Sequence, residues 1–391
     1  MDVSELPGKN KRKKRVLMLA SVASMIAQFN MENIRLLLEL GYEVDVACNF
    51  EKGNTCLQKQ IEELQGNLSE MGVRCYQIDF ERGIRSAKSI LLAYHRICML
   101  IAFNDYACIH CHSPIGGVIG RLAAKKQGRR VIYTAHGFHF FKGGPVQSWL
   151  FFYPMEKLLA GYTDVLITIN REDYLLARKH FHAKRVEKIP GAGIDASYFS
   201  TERGCRERYR ESLGLKEDDF VIISAGELCS RKNHQVIIRA VYRIQDPRVK
   251  YVIAGHGSGR RKLVRLAETL GLADRIRFLD YRTDLPELFQ MADVFAFPSK
   301  REGLGLAAIE AMAAGLPVIS SNVNGINDYS KDYVTGFVCA PDDAAGFAAA
   351  VRKCMKHPAW CARTGRANQR RAQKYDMAKV REKMRDIYES I

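Results

Sequence analysis

Short apolar runs of strand-like length alternate with segments of helical periodicity along the whole chain. The first run, residues 16–20, predicts a buried strand, and the small residues 21–24 predict a loop. Gly41 then ends a predicted helix, and the alternating residues 42–48 predict a second strand. The apolar positions of that helix share one face and are Ile26, Phe29, Ile34, Leu37 and Leu38. This β-α-β opening is typical of a parallel α/β sheet.

The same alternation predicts ten strands in two groups. The first group is residues 16–20, 44–48, 107–112, 131–134 and 165–169, and the second is residues 220–225, 251–254, 276–279, 294–297 and 318–320. Between the groups, after a short strand, residues 189–195 contain Pro190, Gly191 and Gly193, which indicates a connector that can hinge. We therefore predict an α/β protein with two Rossmann-like, doubly wound domains that face a central cleft. The predicted parts are residues 1–194, residues 195–372 and a C-terminal helix, residues 373–391, that returns to the N-terminal domain.

A large positive charge accompanies this pattern. The 60 Lys and Arg residues outnumber the 43 Asp and Glu residues and give a formal net charge of +17. Such an excess attracts anions without distinguishing nucleic acid, acidic membrane and phosphorylated small molecules. It is concentrated first in the basic leader, residues 9–15. Two interpretations of the leader stay open: a solvated segment before the first strand, or a contact with an anionic membrane leaflet.

Several features favour a cytoplasmic protein. The apolar residues after the leader belong to the first strand, which argues against a signal peptide. The 11 cysteines show no framework spacing, which suits a reducing compartment. The most apolar stretch, residues 90–103, is interrupted by His95 and Arg96 and predicts an amphipathic helix rather than a membrane span.

Two segments resemble metal sites, and we expect neither to bind a metal. Cys108 and Cys111 lie on a predicted strand, where residues three apart point to opposite faces and cannot converge on one ion. Asp342 and Asp343 begin a late helix, which predicts helix capping. We therefore expect no metal and no cofactor.

The most informative segment is residues 294–317. It predicts a buried strand, a glycine-containing loop and a short helix that ends at Gly315 and Pro317. Free N–H groups and the positive dipole at the start of that helix can hold a phosphate. Gly303 and Gly305 allow a ligand to approach the backbone closely.

Two glutamates flank this turn. Glu302 lies in the loop and Glu310 eight residues later in the helix, a spacing that suits two polyhydroxylated groups on either side of a diphosphate. The segment resembles the E-x₇-E motif of glycosyltransferase family 4, retaining enzymes with the GT-B fold, and the similarity extends over nearly the whole chain. The resemblance is greatest to bacterial transferases that assemble capsular, exopolysaccharide or lipid-linked oligosaccharide chains. It implies that Glu302 is catalytic and contacts the transferred sugar, that Glu310 contacts the ribose, and that Gly303, Leu304 and Gly305 border the donor.

Arg231 and Lys232 follow the strand that opens the second half. The family commonly has Gly-Arg-Leu and, three residues later, Lys, with both basic residues neutralising the diphosphate. Lys232 matches that lysine, but Glu227 occupies the position of the arginine, so the resemblance leaves Arg231 as the nearest substitute. A solvated surface pair is the alternative for Arg231 and Lys232.

The remaining donor residues are implied by the resemblance. The glycine-rich turn of residues 254–261 contains Gly255 and Gly257 and would border the nucleotide. Tyr281 lies in a segment that lines the base in relatives, where Asp280 replaces a common glycine.

The first half contributes His136, which follows a predicted strand beside Gly137. A histidine in a loop at the carboxyl end of a strand faces the cleft and is a catalytic candidate. Relatives carry a histidine at this point, close to the reacting sugar, whereas His139 is expected to be structural or to face the acceptor.

An aromatic segment, residues 138–153, begins with Phe138, Phe140, Phe141 and Lys142. Two interpretations stay open. The segment is either a partly buried helix after a loop, or an apolar, basic lip that meets a polyprenyl-diphosphate-linked acceptor at an anionic membrane surface.

These features predict a retaining, metal-independent transferase with an N-terminal acceptor domain and a C-terminal donor domain. We expect it to move a hexose or N-acetylhexosamine from a nucleotide-sugar, a UDP-sugar, to a lipid-linked glycan acceptor in cell-surface polysaccharide biosynthesis. No convincing covalent nucleophile is present, so the expected mechanism is front-face substitution in which the leaving phosphate takes the acceptor proton. The alternatives are a nucleotide-sugar epimerase of the same architecture and a basic nucleic-acid-binding protein, which the charge alone supports. We expect no nucleic-acid partner and a cytoplasmic protein, peripheral at the inner face of the membrane.

Overall fold

The structure of the protein is a computed structural model, which describes residues 13–54, 58–80, 87–204 and 206–391. Within these ranges the strands form two separate sheets, and neighbouring strands of each sheet pair in parallel. The predicted α/β architecture with two Rossmann-like domains is confirmed. The basic leader lies outside the described residues up to residue 12.

The N-terminal sheet has seven strands in the described part of the chain. They are β1 (Arg15–Val22), β2 (Glu43–Asn49), β3 (Arg74–Gln77), β4 (Tyr106–His112), β5 (Arg130–Ala135), β6 (Val165–Thr168) and β7 (Arg185–Lys188). The order across the sheet is β3-β2-β1-β4-β5-β6-β7. The helices of this domain are α1 (Ala23–Phe29), α2 (Met31–Glu39), α3 (Gln58–Glu70), α4 (Ala87–Phe103), α5 (Pro114–Lys126), α6 (Val146–Ala160) and α7 (Arg171–His180).

The C-terminal sheet follows the same plan. Its strands are β8 (Phe220–Ala225), β9 (Val249–Ala254), β10 (Ile276–Phe278), β11 (Val294–Phe297), β12 (Val318–Ser321) and β13 (Gly336–Cys339), in the order β10-β9-β8-β11-β12-β13. Its helices are α8 (Ala196–Ser200), α9 (Arg206–Ser212), α10 (His234–Ile244), α11 (Arg260–Thr269), α12 (Leu285–Met291), α13 (Leu306–Ala313), α14 (Ala344–Lys356) and α15 (Pro358–Ala372). A 3₁₀ turn (Asn324–Asp328) precedes β13, and a second (Gln373–Tyr375) leads into α16 (Met377–Glu389).

Both faces of the N-terminal sheet are buried, as parallel sheets require. Along β1, Met18 packs into the core on one face and Leu17 into the core on the other. The same alternation along β4 sends Cys108 and Cys111 to opposite faces, as predicted. Among the described residues, no group of three His, Cys, Asp or Glu side chains is arranged to hold a metal ion.

The start of the chain differs from the prediction. Residues 21–24 form no loop, because β1 continues to Val22 and α1 begins directly at Ala23. The predicted single helix is divided at Asn30, which is fully buried and leaves helical geometry. Its side-chain Nδ2 donates to the carbonyl of Met25, and its Oδ1 accepts from Asn33, so the break is held by hydrogen bonds.

α16 lies against the N-terminal domain. It packs on α2, where Arg381 pairs with Glu32 and Glu39. The backbone joins the connector at the base of the helix, since Met377 N donates to Ile194 O over 2.9 Å.

α4 contains the stretch that was predicted to be an amphipathic helix. The helix is confirmed, and Ile97 and Ile101 are buried, but its outer side also carries large apolar side chains, since Met99 and Phe103 are 54% and 78% exposed. No helix in the described parts of the chain is both long enough and apolar enough to cross a membrane.

Candidate functional site

The predicted donor residues lie in loops at the carboxyl ends of adjacent strands of the C-terminal sheet. These loops follow β8, β9, β10 and β11, which are neighbours in the sheet. The residues brought to this edge are Arg231, Lys232, Gly255, Gly257, Tyr281, Glu302, Gly303, Leu304 and Gly305. His136 follows β5 of the other sheet and faces them. The two sheets therefore contribute opposite walls of one cleft.

Three charged side chains meet where β8 and β11 end. The Nζ of Lys232 and the Nη1 of Arg231 each lie 2.8 Å from the same atom, Oε1 of Glu302. Burial alone would raise the pKa of Glu302, which is 7% exposed, but the charges of Lys232 and Arg231 outweigh burial and lower it. Glu302 is therefore ionised at neutral pH. These contacts do not fit a solvated surface pair.

Glu227, the acid that replaces the arginine common in the family, lies beside this cluster. Its Oε2 is 3.9 Å from Nη2 of Arg231. Arg231 thus extends between Glu227 and Glu302, and its Nη1 also donates to the carbonyl of Arg301 over 3.3 Å. The sequence could name Arg231 as a substitute cation, whereas only the structure shows where its side chain is directed.

The start of α13 is shaped for a ligand that approaches the backbone. Gly305 precedes the helix with a φ of +88°, a left-handed conformation that favours glycine. It has no side chain to cap the helix, which leaves N–H groups of the first turn available to an anion. The side chain of Leu304 points away, because it is 2% exposed and lies against Gly191 of the connector. Leu304 could therefore meet a donor only through its main chain.

Glu310 lies within α13, where burial raises the pKa of its carboxyl to about 7, partly opposed by the charge of Lys232. The protonated and deprotonated forms of Glu310 are therefore about equally populated near neutral pH. Glu302 and Glu310 thus differ in charge state although they belong to one motif.

The glycine-rich turn and Tyr281 lie together on the far side of the donor loops. The N–H of Gly255 donates to the carbonyl of Asp280 over 2.6 Å, which joins the turn to the segment of Tyr281. Asp280 has a φ of +52°, which explains why glycine is common there in the family. The Tyr281 hydroxyl accepts a 3.0 Å hydrogen bond from Gln60 of the N-terminal domain, so the two domains meet at this point too.

The two walls touch at Gly137 and Gly303. A Cβ atom on Gly303 would overlap the carbonyl oxygen of His136, and one on Gly137 would overlap the backbone of Gly303. Asn170 adds a hydrogen bond from its Nδ2 to the carbonyl of Gly303 over 2.9 Å. The loop that carries Glu302 is therefore packed directly against the loop that carries His136.

His136 is part-buried, and burial lowers the pKa of its imidazole to about 4. Its Nε2 lies 3.1 Å from Nδ1 of His112. Both rings line a cavity of about 20 Å³, roughly the space of one water, together with Asn33 and Ala192. A neutral imidazole at this position can exchange hydrogen bonds with a hydroxyl, but it does not supply positive charge.

The aromatic lip is contradicted by the structure at its first three rings, whereas Phe151, later in the same segment, is exposed. Phe138, Phe140 and Phe141 are buried and pack into the N-terminal domain, so these three rings offer no exposed surface to an acceptor or a membrane. Lys142 is exposed, and its backbone N–H donates to Glu172. The interpretation as a partly buried segment is correct for the phenylalanines. The reason is that the rings of Phe138 and Phe140 pack against Phe181, which follows α7, and Phe140 also packs against Trp149 and Tyr153 of α6.

Sequence reasoning missed part of the cleft. Asp173 is buried, accepts hydrogen bonds from Phe138 N and Asn170 Nδ2, and has its pKa raised by burial to about 6. Asp328 accepts a hydrogen bond from Arg171 N and thereby also links the domains. The only signal was the Asn-x-x-Asp cap at the start of α7, which is common in helices that have no such role.

Comparisons with known proteins agree with this arrangement. The chain matches the family model for glycosyl transferases group 1 over residues 205–371, and the model for glycosyl transferase 4-like domains over residues 15–170. These two ranges carry the donor loops and His136, respectively.

Three similar proteins are informative. The chain is 35% identical to EpsD of Bacillus subtilis (strain 168), which is named as a glycosyltransferase, over 96% of each chain. It is 29% identical to an Escherichia coli UDP-Gal:alpha-D-GlcNAc-diphosphoundecaprenol alpha-1,3-galactosyltransferase, over 78% of this chain and 80% of that protein. The crystal structure of Anabaena Alr3699/HepE in complex with UDP-glucose superposes with a TM-score of 0.78 at 18% identity, covering 97% of this chain and 100% of that one. The chain therefore belongs to glycosyltransferase family 4 and is a glycosyltransferase with the GT-B fold.

Proposed function

We propose that the protein is a retaining, metal-independent transferase that moves a hexose or N-acetylhexosamine from a UDP-sugar to a polyprenyl-diphosphate-linked acceptor. The observation that carries the proposal is the convergence of Lys232 and Arg231 on Glu302, in the loop that leads into α13 and packs against the loop of His136. This cluster suits a diphosphate whose sugar projects toward the N-terminal domain. Two cations and free backbone N–H groups leave no need for a metal ion to neutralise the phosphates.

Two relatives support the choice of substrates. The Escherichia coli galactosyltransferase uses UDP-Gal and a diphosphoundecaprenol-linked GlcNAc, and the Anabaena structure contains UDP-glucose. A part in cell-surface polysaccharide biosynthesis follows from an acceptor of the lipid-linked class.

The proposed transfer needs few groups. The acceptor hydroxyl attacks the anomeric carbon on the side from which the diphosphate leaves, and the departing phosphate oxygen takes the hydroxyl proton. Lys232 and Arg231 stabilise the charge that develops on that phosphate. Glu302 holds the sugar hydroxyls, and its negative charge favours the oxocarbenium-like transition state.

The proposal is tested by measuring UDP release from a panel of UDP-sugars with polyprenyl-diphosphate-linked GlcNAc, with and without EDTA. Transfer that needs the acceptor, survives EDTA and keeps the anomeric configuration supports the proposal. Altered sugar and free UDP formed without an acceptor would identify an epimerase instead, and full loss in EDTA with rescue by Mg²⁺ would contradict metal independence.

Glu310 gives the proposal a pH dependence. If the ribose hydroxyls donate to its carboxylate, the bound donor favours the deprotonated form, so donor affinity is present above pH 7 and decreases as the pH falls through about 7. We expect the donor KM to be roughly tenfold higher at pH 6 than at pH 8, because the deprotonated fraction of Glu310 falls by about that factor.

The control for this effect is Glu310→Gln, which should show a weak but pH-independent donor KM. Asp173 titrates about one unit lower and His136 near 4, so neither accounts for a change centred at 7. A wild-type donor KM that stays constant from pH 8 to about pH 6 would exclude the role of Glu310.

We also propose that the enzyme binds its lipid acceptor as a peripheral membrane protein, through the outer face of α4 and α6. Large exposed apolar side chains are concentrated there, and α5, which contacts both helices, lies between them. The set that we call the outer face consists of Leu91, Leu92, Met99 and Phe103 on α4 and Val146, Leu150, Phe151 and Leu158 on α6. A patch of this kind indicates an interaction surface.

The charges around the outer face favour an anionic bilayer. The only acid in the sequences of α4, α5 and α6 is Glu156, which is buried and paired with Arg121. Lys88, Lys125 and Lys157 are exposed on the same helices. A second copy of so basic a face would be repelled, whereas anionic headgroups would be attracted.

We expect the protein to sediment with vesicles that contain phosphatidylglycerol and not with pure phosphatidylcholine vesicles. Phe103→Ser with Phe151→Ser should weaken binding at least roughly tenfold, because each buried phenyl ring contributes about 1.5–3 kcal/mol. The matched control is Val334→Ser, an exposed apolar residue of the C-terminal domain. Deleting residues 1–12, which spares Arg15 and its pair with Glu43, should weaken binding further at low salt.

The outer face would be excluded as the membrane contact if binding were the same for anionic and neutral vesicles and were unchanged by the two serine substitutions.

A further inference from the structure

A row of imidazoles runs from α16 to the cleft. Nδ1 of His110 lies 2.8 Å from the Tyr388 hydroxyl, and its Nε2 lies 2.9 Å from Oγ1 of Thr134. The ring centres of His110 and His112 are 4.1 Å apart, and Nδ1 of His112 lies 3.1 Å from Nε2 of His136. The orientation of each ring is therefore set by its neighbours.

All three rings are neutral at physiological pH. Burial lowers the pKa of His110 to about 3 and that of His136 to about 4, and it also lowers the pKa of His112 well below its usual range. Each ring therefore carries one proton, on either Nδ1 or Nε2. Which nitrogen carries it decides what the ring can offer a ligand.

The contact with Met18 decides the tautomer of His112. Nε2 of His112 lies 3.1 Å from Sδ of Met18, and both side chains are buried. The sulfur of a thioether carries no hydrogen and can only accept a hydrogen bond, so the single proton of His112 belongs on Nε2. The opposite tautomer would set two lone pairs against each other in a buried site, where a lost hydrogen bond is costly.

The consequence passes to His136. With its proton on Nε2, His112 has a bare Nδ1 that must accept, so Nε2 of His136 must donate. The single ring proton of His136 therefore lies on Nε2, and its Nδ1 carries no proton. Among the described residues Nδ1 of His136 has no hydrogen-bond partner, and the ring lines the cavity beneath the connector.

We propose that Met18 and His112 are positioning residues that fix His136 as its Nε2–H tautomer, so that Nδ1 accepts a hydrogen bond from a substrate hydroxyl. Only the identity of that hydroxyl, on the sugar or on the acceptor, rests on the proposed function. The tautomer is a property of the protein alone.

The wild-type protein tests the tautomer directly. The tautomers can be identified in a long-range proton–nitrogen NMR spectrum of protein labelled with nitrogen-15 histidine, in which the His136 signals are those missing from His136→Gln. We expect a protonated Nε2 and an unprotonated Nδ1 for both His112 and His136. A protonated Nδ1 on His136 would overturn the proposal. Because this readout does not depend on turnover, an inactive protein with the expected spectrum would count against the proposed function alone.

Variants test the cause. Met18→Leu conserves volume and removes the acceptor, so the His136 signals should move toward a mixture of tautomers and kcat/KM should fall roughly tenfold. Met291→Leu, at a fully buried methionine of the other domain, should leave the spectrum unchanged. His112→Asn can keep an acceptor near the place of Nδ1 and should retain more activity than His112→Phe. An unchanged His136 spectrum in folded Met18→Leu would refute the role of the sulfur.

Discussion

Replacing Glu302 with alanine is expected to lower kcat/KM roughly 10- to 150-fold while the protein stays folded. A charged hydrogen bond to the reacting sugar contributes about 1.5–3 kcal/mol, and its loss also removes the carboxylate that favours positive charge at the anomeric carbon. The substitution leaves Lys232 and Arg231 without their shared partner. Binding of the donor diphosphate would restore a counter-charge, so we expect kcat to fall more than donor affinity. Steady-state kinetics with varied UDP-sugar measure both.

Two controls separate catalysis from folding. Glu302→Gln keeps shape and hydrogen-bonding capacity but not charge, so its activity should lie between that of the wild type and that of the alanine variant. Glu287→Ala removes a comparably enclosed glutamate that pairs with Arg203 outside the cleft, and it should leave kcat/KM near that of the wild type. Wild-type turnover in a Glu302→Ala protein with an unchanged unfolding temperature would remove Glu302 from the mechanism.

The fold was predictable wherever strands are buried on both faces. All ten predicted strands are present, several with ends shifted by one or two residues, because continuous apolar runs identify the interior of a parallel sheet. The strands that were not named lie at the edges. β3, Arg74–Gln77, is half charged or polar, β7, Arg185–Lys188, has three charged residues in four, and each pairs with one neighbour, so no apolar pattern distinguishes them from loops. The third, β13, Gly336–Cys339, is also an edge strand, and its short apolar run was overlooked.

The candidate site was predictable only in part. Lys232 and Glu302 could be found because each lies in a loop directly after a recognisable strand. Their contact could not be found, because about 70 residues separate them and only the parallel pairing of β8 with β11 brings their loops together. The pairing of His112 with His136 has the same origin in the neighbouring strands β4 and β5.

The aromatic segment shows a different limit. The aromatic pattern cannot tell an exposed ring from a buried one, so Phe140, which lies in a loop and is 0% exposed, and Phe151, which lies on α6 and is 74% exposed, were equivalent in the sequence. Burial depends on Phe181, the residue that follows α7, whose ring packs against Phe138 and Phe140. The proposed membrane contact therefore rests on the exposed apolar side chains of α4 and α6, and not on the three buried phenylalanines that first suggested it.

Lys232 is more enclosed by the protein than Arg231. Its side chain is 13% exposed against 37% for Arg231, and its ammonium also lies 4.8 Å from the centre of the Phe297 ring. A charge shielded from water acts more strongly on a leaving phosphate than an exposed one. We therefore expect the two residues to contribute unequally although both reach Glu302.

Lys232→Ala is accordingly expected to reduce kcat about 10²- to 10³-fold, the usual effect of removing one pre-organised charge or donor from a transition state, and Arg231→Ala to cost less. The same substitution removes the largest charge that lowers the pKa of Glu302, so the pH needed for the residual activity should rise. Lys300→Ala is the matched control, because that exposed lysine of the β11 loop directs its charge to Asp342. Kinetics and UDP binding measured across pH for the three variants test this ranking. Equal losses for Lys232→Ala and Lys300→Ala would indicate a general effect of net charge and would contradict a specific contact with the diphosphate.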